Sequence, residues 1–428
     1  MPSSLALAPE NAPSKPVSRK FDVIVVGAAL NGLAAALAFG GTLVRRPLDV
    51  LVVDAKNPAV FASSAFDGRA TAVSASARKM FEALGVWESI APSAQAMREI
   101  VVTDARAGDK ARPVLLHFDE TEMPNGPSAH MVENRHLHDC LLQAAKAAPH
   151  IAFATGTAVT SYGFGPGLAH AELADGANFR ANLIVAADGR NSPAREAAGI
   201  AMRGWTYDQM AIVATVEHDL PHHGRAEEHF TPSGPFAILP LPGNRSSLVW
   251  TERKENAERI VSLPEEDFLR ELAARFGDHL GGVRVSGVRH AYPLSVFVAQ
   301  EFAGPRLALV GDAAHVLHPL AGLGFNLGLR DVAALAECVH DAVALGLDPG
   351  GDTVLQRYTA WRRFDTVLTA AAVDGLNRLF GNDNALLRLL RDAGLAAVNR
   401  IPALKSGFVN EAAGRTGSLP KLLRGERV

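Results

Sequence analysis

Residues Val310 to Leu335 read V-G-D-A-A-H-V-L-H-P-L-A-G-L-G-F-N-L-G-L-R-D-V-A-A-L. The apolar run from Arg306 to Val310 predicts a strand that ends in Gly311-Asp312. A Gly/Pro loop follows, and a helix is expected to open near Gly324. Such a segment places one carboxylate at a strand end and a row of free backbone N–H groups at a helix start. Those parts suit a ligand with a chain of hydroxyls and an electron-rich ring that becomes anionic.

The matching piece lies far away in sequence, at Phe21 to Asp54. FDVIVVG at 21–27 is the nearly continuous apolar run of a buried parallel strand, LNGLAAALAF at 30–39 is helical, and DVLVVD at 49–54 is a second buried strand. In this βαβ unit Gly27-Ala28-Ala29-Leu30-Asn31-Gly32 stands in the place of G-x-G-x-x-G. The first glycine allows the tight turn and the third lets helix and strand pack closely. The second, which admits a pyrophosphate close to the backbone, is Ala29 here, and its methyl group is expected to shift the phosphate or weaken binding. Asp54, 22 residues after Gly32, is placed to bond a ribose hydroxyl. NAD alone could use this unit; a flavin uses both this unit and the 310–335 segment, so the two together point to FAD.

A further apolar strand at 182–189 ends in Asp188-Gly189-Arg190, a second carboxylate at a glycine turn. Taken alone, that is an ordinary Asp-Gly turn. Asp312 can accept from a ribityl hydroxyl. Glycines at 322 and 324 let backbone approach a flat ring, and the helix start favours negative charge on it. His315 and His318 have no cysteine or carboxylate completing a ligand set, so no metal is expected. His136 and His138, two apart in a helix, face different ways.

Parallel strands spread over nearly 300 residues imply one sheet interrupted by an insertion. The expected fold is α/β: a Rossmann-like FAD-binding domain (21–98, 127–200 and 290–345) with a parallel sheet, interrupted by a β-rich substrate domain (99–126 and 201–289). A C-terminal helical region (346–428) follows, and residues 1–20, rich in Pro, Ser and Ala, are expected to be disordered. Within the insertion, 211–217, 236–241 and 246–251 read as strands, and 99–118 as a hairpin belonging with them. A net charge of −3 over 428 residues gives no field for nucleic acid. Two cysteines, Cys140 and Cys338, make no disulfide framework and fit a reducing cytoplasm. No run of about 18 apolar residues predicts a spanning helix.

With these pieces in order, the chain resembles the FAD-dependent aromatic hydroxylases of the p-hydroxybenzoate hydroxylase fold. Within them it is most similar to the ubiquinone-biosynthesis (UbiH-like) polyprenyl-phenol hydroxylases. The narrower likeness rests on D-G-R-A-T-A-V-S at 67–74, G-P-F-A-I-L-P-L at 234–241, H-P-L-A-G-L-G-F-N-L-G-L-R-D-V at 318–332 and N-E-A-A-G at 410–414. It implies that Gly27, Ala28, Ala29 and Gly32 hold the FAD pyrophosphate and Asp54 the adenosine ribose. Arg69 and Arg135 would lie at the cofactor, Asp188 would serve FAD and NAD(P)H, and Asp312 the ribityl chain. Gly322, Gly324, Phe325 and Asn326 would face the isoalloxazine. Besides Ala29, the chain departs from the family at Leu323, where related sequences usually carry glutamine.

The resemblance further implies an NAD(P)H- and O2-dependent hydroxylation of a phenol ring through a flavin C4a-hydroperoxide, with no nucleophile and no metal. The ring is expected between the flavin, the loop Pro319, Leu320, Ala321, Gly322 and Leu323, and the strand at 236–241. His229 and Tyr292 are the polar candidates near those segments for ionising the phenol, although surface and core packing are their commoner roles. The 384–428 tail mixes leucines with Arg388, Arg391, Arg400, Lys405, Arg415, Lys421 and Arg424. It could lie on an anionic membrane face as a peripheral contact, or pack on the body. A contact with a quinone-synthesis complex is the other partnership implied. Two other readings stay open: a same-fold hydroxylase of a soluble aromatic compound, and a non-catalytic component of such a complex.

Overall fold

The computed structural model describes residues 19–58, 60, 68–104, 112–119, 121, 123, 126–319, 322–380, 407, 410–411 and 413–428. Residues 1–18, Leu320, Ala321 and most of the tail lie outside them. Arg19 and Lys20, expected in the disordered start, instead open the first strand, Arg19–Val26.

Arg19–Val26 is the middle of a sheet, parallel to Asn178–Ala186 on one side and to Val50–Asp54 on the other. Ile151–Thr155 extends it beyond Val50–Asp54, and Leu307–Leu309 beyond Asn178–Ala186, both in parallel. Val23, Ile24, Val25, Val50 and Val52 are fully buried, as continuous β-branched runs in a parallel sheet require. The crossover helix Leu30–Gly40 is Ala-rich because it is buried on nearly every side, between the sheet and the long helix Leu323–Ala344. Small side chains allow that close approach. An antiparallel hairpin, Val159–Phe164 and Ala169–Leu173, adds to the outer part of Asn178–Ala186 and has no counterpart in the sequence reading.

The second sheet also has eight strands: His315–Val316, Val283–Ala299, Met202–His218, Arg245–Arg253, Gly234–Leu241, Arg225–Thr231, Glu99–Asp104 and Val114–Phe118, in that order. The 99–118 hairpin thus joins the strands from after residue 200. Val283–Ala299 and Met202–His218 are each 17 residues long, and the former runs unbroken across the expected join at 289–290. One face of this sheet, carrying Ile238, Phe236, Leu248 and Trp250, is covered by the helices Lys254–Ser262 and Glu265–Phe276 through Ile260, Phe268, Leu272 and Phe276. Alternation along the strands turns the intervening residues to the opposite face, towards the first sheet's carboxyl edge.

The three-stranded sheet Ala70–Ser74, Ala129–Glu133 and Ala94–Ala96 bridges the two. A 29-residue helix, Asp352–Phe380, runs along the Leu323 helix. The chain end returns to the body: Leu422 and Leu423 are buried in the main core, and Lys421 pairs with Asp341 at 2.8 Å. Those described residues of the tail are therefore packed, whereas Arg388, Arg391, Arg400 and Lys405 lie outside the described chain. Among the described residues no helix is long and apolar enough to cross a membrane.

Candidate active site

Parallel register brings three distant loops to one edge of the first sheet. Val26 pairs with Ala186, Ala187 N–H donates to Val26 (2.8 Å), and Val310 N–H donates to Ala186 (3.0 Å). Gly27, Asp188 and Asp312 therefore follow the carboxyl ends of neighbouring strands, where α/β sheets bind ligands.

Gly27 has φ +106°, and a Cβ there would stand 2.3 Å from the Ala187 carbonyl oxygen. A Cβ at Gly32 would stand 1.8 Å from the Gly27 carbonyl oxygen, so that position admits only hydrogen. Ala29 is different. It is exposed, takes an ordinary extended conformation (φ −78°, ψ −176°) and begins the Leu30 helix. Its methyl group strains nothing in the chain and faces the open side of the loop. No side chain caps this helix and its first turn holds no acid, which leaves N-terminal amides open to an anion. The Asp54 carboxylate accepts from Ala28 N–H (2.6 Å) and Lys56 N–H (2.7 Å), which fixes it beside the loop. His138 supports the loop from below: its buried Nε2 donates to the Ala28 carbonyl at 2.9 Å. His136, on another face, reaches Glu133 at 3.1 Å.

Arg69 and Arg135 meet at one corner, because Asn134 N–H donates to the Arg69 carbonyl (3.0 Å) as the helix Asn134–Ala147 begins. Arg69 lies over Tyr292, 5.9 Å from the ring centroid, and Arg135 contacts Glu133 at 3.3 Å. Asp188 accepts from Ala194 N–H at 3.2 Å through one oxygen, while its other oxygen is buried without a partner among the described residues. Burial holds this carboxyl above its ordinary range.

Asp312 is exposed to a cavity yet enclosed by protein, which raises its carboxyl pKa; the charges of His315 and Arg190 oppose that rise. Behind it, the fully buried Asp331 accepts from Gly311 N–H (3.1 Å), His315 Nε2 (2.6 Å) and Arg362 Nε (2.8 Å). This network ties the Asp312 loop to both long helices and occupies His315 structurally. Asn31 wedges into the same corner: a Cβ at Gly311 or Gly328 would come within 2.5 or 2.2 Å of its Nδ2. In the sequence Asn31 stands only as a filler of the glycine motif.

The Leu323 helix starts at Gly322, left-handed at φ +62°, with no acid in its first turn and no described side chain capping it. Gly322, Gly324, Phe325 and Asn326 all line the cavity. The Asn326 carboxamide, however, is used by backbone: its Nδ2 donates to Ala72 (2.7 Å) and Gly322 (3.1 Å), and its Oδ1 accepts from Ser74 N–H (3.0 Å). It clamps the helix start to the Ala70 strand. Leu323 packs with Leu115, Phe230 and Val373 in an apolar cluster. Pro319 lines the cavity; Leu320 and Ala321 of the same expected loop lie outside the described residues.

The cavity, about 600 Å³, runs from Asp312 and the Leu323 helix start to the free face of the second sheet. Its far wall is apolar, built from residues such as Ile100, Leu116, Phe118, Met123 and Met131. Neither polar candidate named from the sequence belongs to it. His229 points to the helix-covered face, where Nδ1 meets Thr103 Oγ1 (2.7 Å), Nε2 lies 3.2 Å from Glu227, and the ring stacks on Phe236. Tyr292 lies against Arg69 and His290. The cavity's polar lining instead includes Glu228 and His318, along with Arg69, Asp312, Asn326 and several hydroxyls. His318 is fully buried, its ring nitrogens have no partner among the described residues, and burial lowers its pKa to about 4. Glu228 has no described partner either, and burial alone raises its carboxyl to about 7.

This arrangement fits FAD. Two helix starts without acids converge on an edge where the Asp188 oxygen and the Asp312 carboxyl await donors, and the Gly27 loop has no room for larger residues. The Gly27–Gly32 amides would hold the pyrophosphate, Asp54 the adenosine ribose and Asp312 the ribityl hydroxyls. Bound there, FAD supplies hydride acceptance from a nicotinamide and activation of O2.

Comparison with known proteins agrees. Residues 20–365 match the family described as FAD binding domain. The chain is 44% identical to the ubiquinone hydroxylase UbiL of Rhodospirillum rubrum, covering 94% of this chain and 92% of that protein. It is 33% identical to the 3-demethoxyubiquinol 3-hydroxylase of Escherichia coli, covering 92% of this chain and 98% of that one. Among solved structures, p-nitrophenol 4-monooxygenase PnpA of Pseudomonas putida superposes with a TM-score of 0.75 at 20% identity, covering 96% of this chain and all of that one, which shows the shared fold. The chain belongs to the FAD-binding aromatic-ring hydroxylases, in the branch of the ubiquinone hydroxylases, and is an FAD-dependent monooxygenase.

Proposed function

We propose that the enzyme hydroxylates the aromatic ring of a prenylated phenol on the route to ubiquinone, using NAD(P)H and O2. The observation that carries this reading is the cavity. It joins the flavin-facing Asp312 and Leu323 helix start to a long apolar wall, and about 600 Å³ suits a ring with an apolar chain. The relatives named for ubiquinone chemistry support the same substrate class. In this reading the Leu323 helix start favours negative charge on the reduced ring by roughly 0.3–1 kcal/mol. The apolar wall excludes water from the reacting carbon. The site residues inferred from the sequence keep the roles given above, as part of the proposal.

We place the enzyme in the cytoplasm, in peripheral contact with the membrane that holds such a substrate. Phe364 (76% exposed), Val367 and Leu368 form an apolar strip on the outer face of the Asp352 helix, suited to that contact. Deleting the gene and measuring quinone precursors by mass spectrometry tests the function. Accumulation of a prenylated ring lacking one hydroxyl is expected and identifies the carbon. A soluble aromatic accumulating with unchanged quinone precursors overturns the reading.

A further inference from the structure

The strand Arg225–Thr231 carries two adjacent glutamates with opposite surroundings. Glu227 faces the helix-covered side, where His279 (2.8 Å) and His229 (3.2 Å) hold its carboxylate; burial would raise its pKa, but those hydrogen bonds and the Arg225 charge bring it well below the usual range. Glu228 points the other way. Strand pairing aligns it with Val102 on one side and Ala237 on the other, and Ala237 with Val249 beyond. All four line the cavity, so one carboxyl stands in an otherwise apolar row. Phe230, the next residue on this face, packs with Leu323, so the strand meets the flavin-facing helix start.

Glu228 is enclosed by protein yet partly open to the cavity, and a carboxyl so placed with no partner among the described residues is left for a ligand. The other titratable or charged groups around the cavity are Arg69, Asp312, His318 and the backbone-adjacent Glu227. None pairs with Glu228, and only burial displaces its titration. Burial lowers the His318 pKa to about 4, which makes its imidazole a weaker base than a carboxyl titrating near 7, and Asp312 stands at the cofactor end, so neither replaces it as a proton acceptor.

We propose that the Glu228 carboxylate binds the ring hydroxyl of the phenol and takes its proton as the ring is oxygenated. The inference rests on the prenylated-phenol reading. The proton leaves the phenol oxygen for Glu228 as the ring carbon forms its new C–O bond. The oxygenated ring is then a dienone. Its C–H proton departs to water as aromaticity returns, and Glu228 gives its proton back to the original oxygen. One oxygen atom of O2 enters the ring, the other leaves as water, and the electrons come from NAD(P)H through the flavin. A carboxyl titrating near neutrality is matched to this exchange with a phenol, whose ordinary pKa is about 10.

The test uses the oxidised FAD-bound enzyme and a nitrophenol carrying one dimethylallyl chain beside its hydroxyl, whose phenolate is coloured. Sharing a proton with Glu228 makes the bound probe ionise in two steps. Glu228→Gln should give one step, and Glu228→Asp, with its carboxyl withdrawn by a methylene, two more closely spaced steps. In turnover of the same prenylphenol without the nitro group, Glu228→Gln should lower kcat for hydroxylation by roughly 100-fold with little change in KM, and remove the rise in rate through pH 7. If the probe binds with one unchanged step in wild type and both variants, the proposal falls while the substrate reading stands. If the prenylated probe does not bind wild type, both fall. If Glu228→Gln loses FAD, the wild type and Glu228→Asp comparison decides.

Discussion

Glu228 should make stability depend on pH even with no substrate present. Its carboxyl is raised from about 4.5 to about 7 by burial alone. At 1.36 kcal/mol per unit, that is about 3 kcal/mol of differential interaction between the protonated and charged forms. The native state holds the proton more tightly than the unfolded chain. The contribution is therefore fully present below the unfolded value near 4.5 and is lost as pH rises through about 7. Roughly 1.4 kcal/mol is already gone at pH 5.5, and about 2 kcal/mol more disappears by pH 8.5. Glu228→Gln cannot ionise. Wild-type stability minus that of the Gln variant, from urea unfolding at both pH values, should fall by about 2 kcal/mol over this range. Taking the difference cancels every other titration the two proteins share. Infrared spectra should show a protonated carboxyl band that fades around pH 7 and is missing in the variant. A difference that stays flat between the two pH values, with no such band, would refute the burial argument.

The dinucleotide loop yields a contrast. Gly32→Ala forces a methyl group to within 1.8 Å of a carbonyl and should lose FAD, whereas Ala29→Gly, at an unstrained exposed position, should change FAD affinity by less than about tenfold; flavin content and fluorescence titration measure both. Asp331→Asn removes the buried carboxylate that Arg362 shares with His315, leaving Arg362 with Asp365 (2.6 Å) as its remaining acid, and should cost about 1–3 kcal/mol in thermal or urea unfolding. Burial pushes the Asp331 carboxyl up, but His315 and Arg362 outweigh it and keep the pKa below the ordinary value, so this stabilisation is present above the usual carboxylate range and lost as pH falls. Leu323→Gln puts a carboxamide among Leu115, Phe230 and Val373, and unfolding should show a loss of about 1–3 kcal/mol. A gain in stability would mean that this cluster opens onto the flavin side.

Much of the fold could be read from local sequence because parallel strands announce themselves. Val23 to Val26 and Val50 to Val53 are buried on both faces, so they appear as unbroken apolar runs ending at the loops that bind. Gly27 and Gly32 were readable for a related reason: a backbone that approaches a carbonyl this closely tolerates no side chain. The strands Arg225–Thr231 and Val283–Ala299 were not readable. They are interrupted by Glu, His, Arg and Tyr, and their pairing is set by partners far away in the chain. The supports of the site were hidden likewise: Asn31, His138 and Asp331 act through contacts with residues 16 or more positions away, and Asn326 through the Ala70 strand.

The cavity shows why its chemistry escaped the sequence while the cofactor's place did not. A cofactor site made of backbone turns leaves glycines at fixed spacing, a pattern local in the chain. A substrate wall made of sheet leaves only alternation, and alternation says which residues share a face without saying which face is open. In A-E-E-H-F at 226–230, Glu227 and His229 share one face and Ala226, Glu228 and Phe230 the other. The sequence offers His229 only as a polar residue near this segment, with packing its commoner role. Covering its face with the Lys254 and Glu265 helices engages it with Thr103 and Glu227, and it leaves the neighbouring carboxyl facing the ring's space. A one-residue register slip would exchange the two assignments. The choice between His229 and Glu228 is therefore made by what packs behind the sheet, from segments 25 or more residues further along the chain.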